Sequence, residues 1–303
     1  SGSAVADVAA LGSILIPAMK KKGYPGAFAA AVTSSSASLA IIIPPSIPMI
    51  VYAVMSQSSV VQLFVAGIIP GVIGGFFLML AAYVTARKKN FPVEETFNIP
   101  NVKKTAKDAA LAFLLPVIIL GGIFGGVVTA TEGAGLAVVA SLVIGFIYKE
   151  IDFKRLYESA CEGAIQTASV MLLVAASVLL GEFLTIEQIP QKVAESIIEF
   201  TNNKYAVLGI LNIFLLIIGF FLHSVAAIIL TVPIVMPLVN AVGIDPVHFG
   251  IIVTLNLAIG QQTPPVASVL VTACSVAKAD IWDVTRSNTV SYTHLRAHET
   301  HND

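Results

Sequence analysis

Long apolar runs with almost no ionisable side chain dominate the sequence, at residues 62–86, 109–128, 134–148, 164–180 and 205–222. About 20 such residues span a bilayer as a helix. Of the 303 residues, 56% are hydrophobic and only 12% are charged, whereas a soluble domain carries about 25% charged residues. We therefore predict an all-α polytopic membrane protein with about seven to nine membrane segments, some of them re-entrant.

The remaining composition argues mainly against other classes of protein. Cys161 and Cys274 lie far apart in apolar surroundings, so neither a disulfide framework nor a C-x-x-C metal pair is expected. A net charge of −1 gives no case for nucleic-acid binding. We see no signal peptide, and because the chain opens with Ser1 inside an apolar pattern, we expect a fragment of a longer protein.

Four clusters of Lys and Arg alternate with turns that carry few positive charges. The positive-inside rule places these clusters in the cytoplasm and the turns at 56–59, 129–131 and 186–203 outside. The segments 152–158 and 191–198 are amphipathic and fit either interfacial helices or ordinary solvent-exposed loop helices. The clusters are Lys20, Lys21 and Lys22; Arg87, Lys88, Lys89, Lys103, Lys104 and Lys107; Lys149, Lys154 and Arg155; and Lys278 and Arg286.

An internal repeat relates the two ends of the chain. A gapless alignment at an offset of 220 residues pairs Val5 with Val225, Pro17 with Pro237, Gly23 with Gly243, Pro44 with Pro264 and Pro45 with Pro265. Positive charges follow Pro17 but not Pro237, so the two copies are predicted to cross the membrane in opposite directions. Inverted repeats with interrupted helices are typical of secondary transporters. A proline kink that serves packing alone is the alternative.

The repeat divides the chain into four parts. Residues 1–57 and 205–286 are predicted to form the two repeats of a transport domain, each with a re-entrant hairpin element and a broken helix. Residues 58–204 supply a scaffold with connecting membrane and interfacial helices. Residues 287–303 are interpreted as a non-native tail, because 292–300 resemble a translated sequencing adapter; the histidines at 294, 298 and 301 are not interpreted as a zinc site.

The paired prolines indicate where binding chemistry lies. Proline cannot close a helical turn, so both Pro-Pro pairs are predicted to leave backbone carbonyls without partners. In hydrocarbon such groups need a cavity, water or an ion, and sodium prefers oxygen ligands. Exposed helix N-termini would favour an anionic group of the substrate. We predict sodium and substrate binding, with no other cofactor and no transition metal, at Ser1, Gly2, Ser3, Ser36, Ala37, Ser38, Pro44, Pro45, Ser46, His223, Ser224, Gly260, Gln261, Thr263, Pro264 and Pro265.

Other polar residues near membrane depth have more ordinary interpretations. Glu132 is predicted to be an acid in the first turn of a helix, and Asp245 with His248 to form a helix cap and first turn. Glu182 is interpreted as interfacial. Asp7 fits either the ion site or a cytoplasmic vestibule equally well.

Five motifs, in order along the chain, resemble the large membrane subunit of tripartite ATP-independent periplasmic (TRAP) transporters. They are Ser-Gly-Ser-Ala-Val-Ala at 1–6, Ile-Pro-Pro-Ser-Ile-Pro at 43–48, Ala-Gly-Ile-Ile-Pro-Gly at 66–71, Asp-Pro-Val-His-Phe-Gly at 245–250 and Thr-Pro-Pro-Val at 263–266. The resemblance extends to about residue 286. Ala37, Ala40 and Ala267 stand where the family pattern has glycine, and the family's N-terminal helices are not seen.

The resemblance implies an elevator mechanism and sodium-coupled uptake of an organic anion, such as a dicarboxylate or a sialic acid, across the bacterial inner membrane. It also implies two partners, a small four-helix membrane subunit and a periplasmic solute-binding protein. ATP is not expected to drive transport, because the chain has no G-x-x-x-x-G-K-[ST] loop. The alternatives are a stand-alone sodium or proton symporter of the same superfamily, a channel, or an intramembrane enzyme, for which no catalytic constellation is visible.

Overall fold

A computed structural model of the chain describes residues 2–92, 99–149, 151–201 and 203–293, without the side chains of 108 and 289–293. Within these ranges the secondary structure is helical throughout, which confirms the predicted all-α class. A 3-10 turn, Leu39–Ile41, follows the second helix. The helices are α1 (Ala4–Lys21), α2 (Gly26–Ser38), α3 (Ile47–Ser56), α4 (Val60–Lys88), α5 (Ile99–Asp108), α6 (Ala110–Phe124), α7 (Ala130–Ile147), α8 (Phe153–Ile186), α9 (Ile189–Phe200), α10 (Lys204–Phe221), α11 (Ser224–Ala241), α12 (Pro246–Gly260), α13 (Ser268–Ala277) and α14 (Ile281–Thr293).

Several of these helices are long and apolar enough to cross a membrane. Five qualify on their own, namely α4, α7, α8, α10 and α11, and α5 with α6 makes a sixth, bent segment. Four shorter apolar helices, in the regions of α2, α3, α12 and α13, are below the length of a span individually. The described residues thus contain five or six candidate spans, as expected of a polytopic membrane protein, and the number of seven to nine segments stays a prediction.

The chain folds into two compact units. The first comprises Ser1–Pro92 and Ala176–Asp303, and therefore contains both repeats. The second, Val93–Ala175, contains α5, α6, α7 and the first part of α8. In the second unit most large apolar side chains are exposed, among them Phe113, Val117 and Val138. Such a surface suits contact with lipid.

The predicted repeat is visible in the helix boundaries. α1 and α11 both have 18 residues, and they begin and end at positions 220 apart. Each is followed by a glycine with positive φ, +88° at Gly23 and +70° at Gly243. After the Pro-Pro pairs the offset becomes 221, because α3 begins at Ile47 and α13 at Ser268. The two copies therefore share helix order, and their register shifts by one residue after the Pro-Pro pairs.

The two repeats are intertwined, because the half-helix after each break packs against the other repeat. α3 lies against α11 and α12, and α13 lies against α1 and α2. A polar contact accompanies each crossing. The buried Tyr52 hydroxyl donates to the carbonyl of Pro246 at 2.6 Å. Lys20 Nζ donates to the carbonyl of Ala277, the last residue of α13, at 2.8 Å, where a cation also complements the helix dipole.

The apolar core of this unit lies where α3, α4, α10, α11 and α12 meet. Tyr52, Leu63 and Phe249 are fully buried there. Gly250 is needed at the same place, since an added Cβ would lie 2.5 Å from the Tyr52 ring. Because atoms this close must shift, the small residue allows α12 to approach α3 and α4.

α10 and α12 approach each other even more closely. At Gly260 an added Cβ would lie 2.5 Å from the carbonyl carbon of Gly219. About one helical turn before Gly260, Asn256 Nδ2 of α12 donates to Asn212 Oδ1 of α10 at 2.7 Å. Small residues at a helix contact and hydrogen bonds between helices are the two means by which membrane helices associate.

Two predicted helix starts are confirmed. Thr129 and Glu132 form a capping box at the start of α7, in which Glu132 Oε2 accepts from the Thr129 amide at 2.7 Å. Asp245 caps α12, because its Oδ1 accepts from the His248 amide at 2.8 Å. Both acids therefore satisfy backbone donors at helix N-termini.

The two amphipathic segments differ in structure. Residues 153–158 are the first turns of the 34-residue α8 and do not form a separate helix. The segment 191–198 lies in α9, a separate helix of 12 residues. Ala194 of α9 is buried, and Ile197 and Ile198 pack against the core cluster next to α11. The apolar side of α9 is thus used in protein packing.

Candidate functional site

The first break separates α2 from α3. α2 ends at Ser38, the 3-10 turn follows, and the helix restarts at Ile47 after Pro44 and Pro45. The buried Ser46 closes the break: its hydroxyl donates to the carbonyl of Ile41 at 2.6 Å and accepts from the Met49 amide at 3.3 Å. Ser46 therefore serves as the N-cap of α3 and satisfies a carbonyl inside the break.

The second break separates α12 from α13 and has a different chemistry. α12 ends at Gly260, and α13 begins at Ser268 after Pro264 and Pro265. The N-cap residue, Ala267, lies in the left-handed region at φ 42° and has no side chain that could cap α13. The interruption predicted at both Pro-Pro pairs is confirmed, and both Pro-Pro peptide bonds are cis.

Each break contacts, through the backbone, the hairpin tip of its own repeat, meaning the residues just before α1 in the first repeat and the junction of α10 and α11 in the second. The Ile47 amide donates to the carbonyl of Gly2 at 3.3 Å, and the Val266 amide donates to the carbonyl of Phe220 at 3.3 Å. At Gly2, φ is +78° and an added Cβ would lie 2.7 Å from the Pro45 oxygen. A glycine is therefore required where this tip meets the break.

The polar side chains at the tips differ in burial. Ser3 is the N-cap of α1, and its Oγ accepts from the Ala6 amide at 3.5 Å. His223 is exposed and lies at the N-cap position of α11 without a capping hydrogen bond from its side chain, whereas Ser224 is buried. Ser1 lies outside the described residues.

A buried hydrogen-bond network connects the two repeats. Gln262 Nε2 donates to the carbonyl of Ser34 at 2.7 Å and to Ser38 Oγ at 2.6 Å. Asn288 Nδ2, on α14, donates to Gln262 Oε1 at 3.2 Å, and Ser35 Oγ donates to Asn288 Oδ1. All five side chains are buried. The end of α2, the second break and α14 are thereby tied together.

A cavity of about 420 Å³ adjoins this network, between α2, α4 and α12. The hydroxyls of Ser35 and Ser38 are the polar side-chain groups on its wall, and the rest is apolar, including Phe77, Leu78 and Leu255. A wall of this kind cannot satisfy the charge of an organic anion. The cavity itself is therefore not assigned to substrate.

Some predicted site residues direct their polar groups back to nearby backbone and not toward one another. Ser36 is exposed and its hydroxyl donates back to the carbonyl of Thr33 at 3.0 Å. Thr263 Oγ1 likewise donates to the carbonyl of Ile259 within its own helix, at 3.1 Å. Ala37 and Pro44 are buried, whereas Pro265 is exposed. The structure brings Gly2 to Pro45 and Ser46, and Gln261 to Ser268, whose hydroxyl donates to Gln261 Oε1 at 3.4 Å.

Sequence reasoning omitted Gln262 and Asn288 from the site. Gln262 could have been found, because a buried carboxamide in an apolar segment needs partners. Asn288 lies in the segment 287–303, which the sequence pattern marks as a tail. In the described part of the chain, no group of three or more His, Cys, Asp or Glu side chains could hold a metal ion. The three histidines of the tail lie outside the described residues.

Comparison with known proteins agrees with the motifs. Residues 1–294 match the family described as "Tripartite ATP-independent periplasmic transporter, DctM component". The chain belongs to this family. The resemblance drawn from the five TRAP motifs is thereby confirmed, and the match extends eight residues beyond Arg286, into the segment interpreted as a tail.

The TRAP assignment is supported by individual relatives. The chain is 42% identical over 283 residues to an isethionate TRAP transporter permease protein, DctMQ, of Oleidesulfovibrio alaskensis, covering 93% of this chain and 45% of the relative. It is 40% identical to the C4-dicarboxylate TRAP transporter large permease protein DctM of Pseudomonas aeruginosa, covering 88% and 62%. It is 36% identical to the sialic acid TRAP transporter large permease protein SiaM of Vibrio cholerae, covering 94% and 68%. The chain thus spans between about half and two thirds of these relatives.

Proposed function

We propose that this chain is the part of a TRAP transporter that carries an organic anion across the bacterial inner membrane together with sodium. The observation that carries the proposal is the pair of broken helices, each interrupted at Pro-Pro and each joined by a backbone hydrogen bond to a hairpin tip. Such breaks place backbone oxygens and hydroxyls at membrane depth, and these are the ligands a hard cation prefers.

The substrate is an anion whose charge is recognised by backbone and hydroxyl groups. Relatives are named for isethionate, C4-dicarboxylate and sialic acid transport, and these compounds share an acidic group. The uncapped start of α13 at the second break supports this choice, because the N-terminus of a helix favours negative charge. No transition metal or organic cofactor takes part.

Two partners complete the transporter, a small four-helix membrane subunit and a periplasmic binding protein that delivers the anion. The exposed apolar side chains of α5 to α8 are available for lipid and for the small subunit. Transport proceeds by an elevator movement of the two intertwined repeats. Their crossing half-helices support their movement as one body.

The test uses the full-length transporter, with both partner subunits, in proteoliposomes. Uptake of a labelled C4-dicarboxylate, sialic acid or isethionate is compared under an inward sodium gradient and under a proton gradient in sodium-free buffer. The proposal predicts uptake of at least one of these anions with sodium only, and none of a neutral sugar of similar size. Undiminished uptake without sodium, or equal uptake of the sugar, would contradict it. Sodium-driven uptake without the binding protein would instead identify a stand-alone symporter.

A further inference from the structure

Gln262 lies in the second repeat, but its side chain makes hydrogen bonds to the first repeat. Gln262 lies in the second break, yet both hydrogens of its amide group are directed to α2 of the first repeat, at Ser34 and Ser38. Its oxygen accepts from Asn288. With 4% of its surface exposed, this carboxamide has both donors and its acceptor engaged inside the protein.

The neighbouring Gln261 provides an internal comparison. It is equally buried, at 2% exposure, but its hydrogen bonds remain within the second repeat. Its Nε2 donates to the carbonyl of Leu257 at 3.5 Å, and its Oε1 accepts from Ser268. The two adjacent buried glutamines therefore differ in their partners: Gln262 bonds to the first repeat and to α14, whereas the bonds of Gln261 remain within the second repeat.

The contact of Gln262 falls where the first break begins. Ser34 and Ser38 lie in the last turn of α2, around Ala37 and directly before the 3-10 turn. A buried polar network tolerates little displacement, because a donor or acceptor that loses its partner at low dielectric is left unsatisfied. A change in backbone position at the second break must therefore be followed by the end of α2, or the network is broken.

We propose that Gln262 is a positioning residue that couples sodium binding at the two breaks. The inference rests on the proposed function, in which each break binds a cation. An ion that orders the backbone at one break also orders the other through the Gln262 carboxamide. The second ion then binds to an already ordered site, so sodium binds with positive cooperativity.

The test replaces Gln262 by Met, which is unbranched and of similar length but cannot donate a hydrogen bond. Sodium dependence is measured in two ways on the full-length transporter, by uptake in proteoliposomes and by sodium-dependent thermal stabilisation in detergent. We expect the sodium Hill coefficient to fall from above 1 to about 1. The half-saturating sodium concentration should rise about 5-fold or more, the lower end of typical coupling between sites.

Thr254→Val is the control. It removes a buried hydroxyl of the same repeat whose hydrogen bonds go to Gly250 and Ile251 within α12, outside the predicted sodium site, so the Hill coefficient should remain at the wild-type value. The proposal is overturned if Gln262→Met retains the wild-type Hill coefficient, if both variants lower it equally, or if the wild-type coefficient is already 1. Should Gln262→Met fail to accumulate in membranes, Gln262→Asn, one methylene too short to reach α2, is judged by the same outcomes. Wild-type uptake without any sodium dependence would overturn the proposed function itself, whereas sodium-dependent uptake with an unaffected Gln262 variant overturns only the coupling.

Discussion

The first and second breaks occupy equivalent positions in the repeat but are held in different ways. At the first, Ser46 is extended, with φ −125°, and its side chain caps α3 and binds the carbonyl of Ile41. At the second, Ala267 is left-handed, α13 has no side-chain cap, and Gln262 reaches across to α2. The first break is capped by a side chain of its own, whereas the second has no such cap and adds a side-chain bond to the other repeat. A shared proline pattern therefore specifies where a helix stops but not what satisfies the groups it releases.

The largest difference should appear at the equivalent residues that precede each Pro-Pro pair by four positions. Gly260 touches the backbone of Gly219, whereas the equivalent residue of the first repeat is Ala40, which already carries a Cβ. We expect Gly260→Ala to destabilise the protein by about 3 kcal/mol, because backbone atoms cannot move aside as a side chain can. The thermal unfolding midpoint in detergent measures the effect.

Gly209→Ala is the matched control for this substitution. Gly209 lies on α10, and an added Cβ there would meet nothing within 4 Å. The variant should be neutral or stabilised by up to about 1 kcal/mol, since alanine favours a helix more than glycine does. Equal midpoints for the two variants would show that the α10–α12 contact does not hold the second break.

An intermediate effect is expected for Ser46→Ala at the first break. The loss of the N-cap and of the bond to Ile41 should destabilise the protein by about 1 to 2 kcal/mol. The comparison is with Ser59→Ala, which removes the exposed cap of α4, and for which a loss of about 0.5 kcal/mol is expected. Thermal unfolding of both variants under the same conditions is the measurement. Equal losses of stability in the two variants would show that Ser46 does not close the first break.

The smallest effect is a gain of stability at the second break. A left-handed backbone conformation costs a residue with a Cβ about 1 to 2 kcal/mol. Glycine avoids this cost but loses more backbone entropy on folding. Ala267→Gly should therefore stabilise the protein by up to about 1 kcal/mol. The same change at Ala37, inside α2, should instead cost about 1 kcal/mol. Opposite shifts of the unfolding midpoint are the expected result, and shifts of the same sign would refute the assignment of strain to Ala267.

The helices and their repeat could be predicted because they depend on local patterns. Apolar runs, proline pairs and capping residues act on neighbouring backbone, and the predicted offset of 220 residues agrees with the boundaries of α1 and α11. Family resemblance also indicated that Ala267 stands in place of glycine, and its positive φ gives the physical reason.

The contacts between repeats could not be predicted in the same way. Gln262 and Ser34 are 228 residues apart, Lys20 and Ala277 are 257 apart, and Tyr52 and Pro246 are 194 apart. These contacts depend on how α3 and α13 pack against the opposite repeat. That packing cannot be inferred from the local patterns of a single sequence. Lys20 is an example. Its charge in the sequence predicts only a cytoplasmic position, whereas in the structure its ammonium group also donates to the end of α13.

The central claim is that both breaks provide oxygen ligands for sodium, and replacing each Pro-Pro pair by Ala-Ala tests it most directly. Alanine is a better helix former than proline by about 3 kcal/mol, so the replacement should allow the helix to close and withdraw the carbonyls, while insertion into the membrane continues. Sodium-dependent uptake is measured for the full-length transporter with Pro44-Pro45 or Pro264-Pro265 replaced, with Lys21→Met as a control outside both breaks. We predict that each replacement raises the half-saturating sodium concentration and that the control does not. Unchanged sodium dependence in both replacements would show that the breaks are packing kinks and that sodium binds elsewhere.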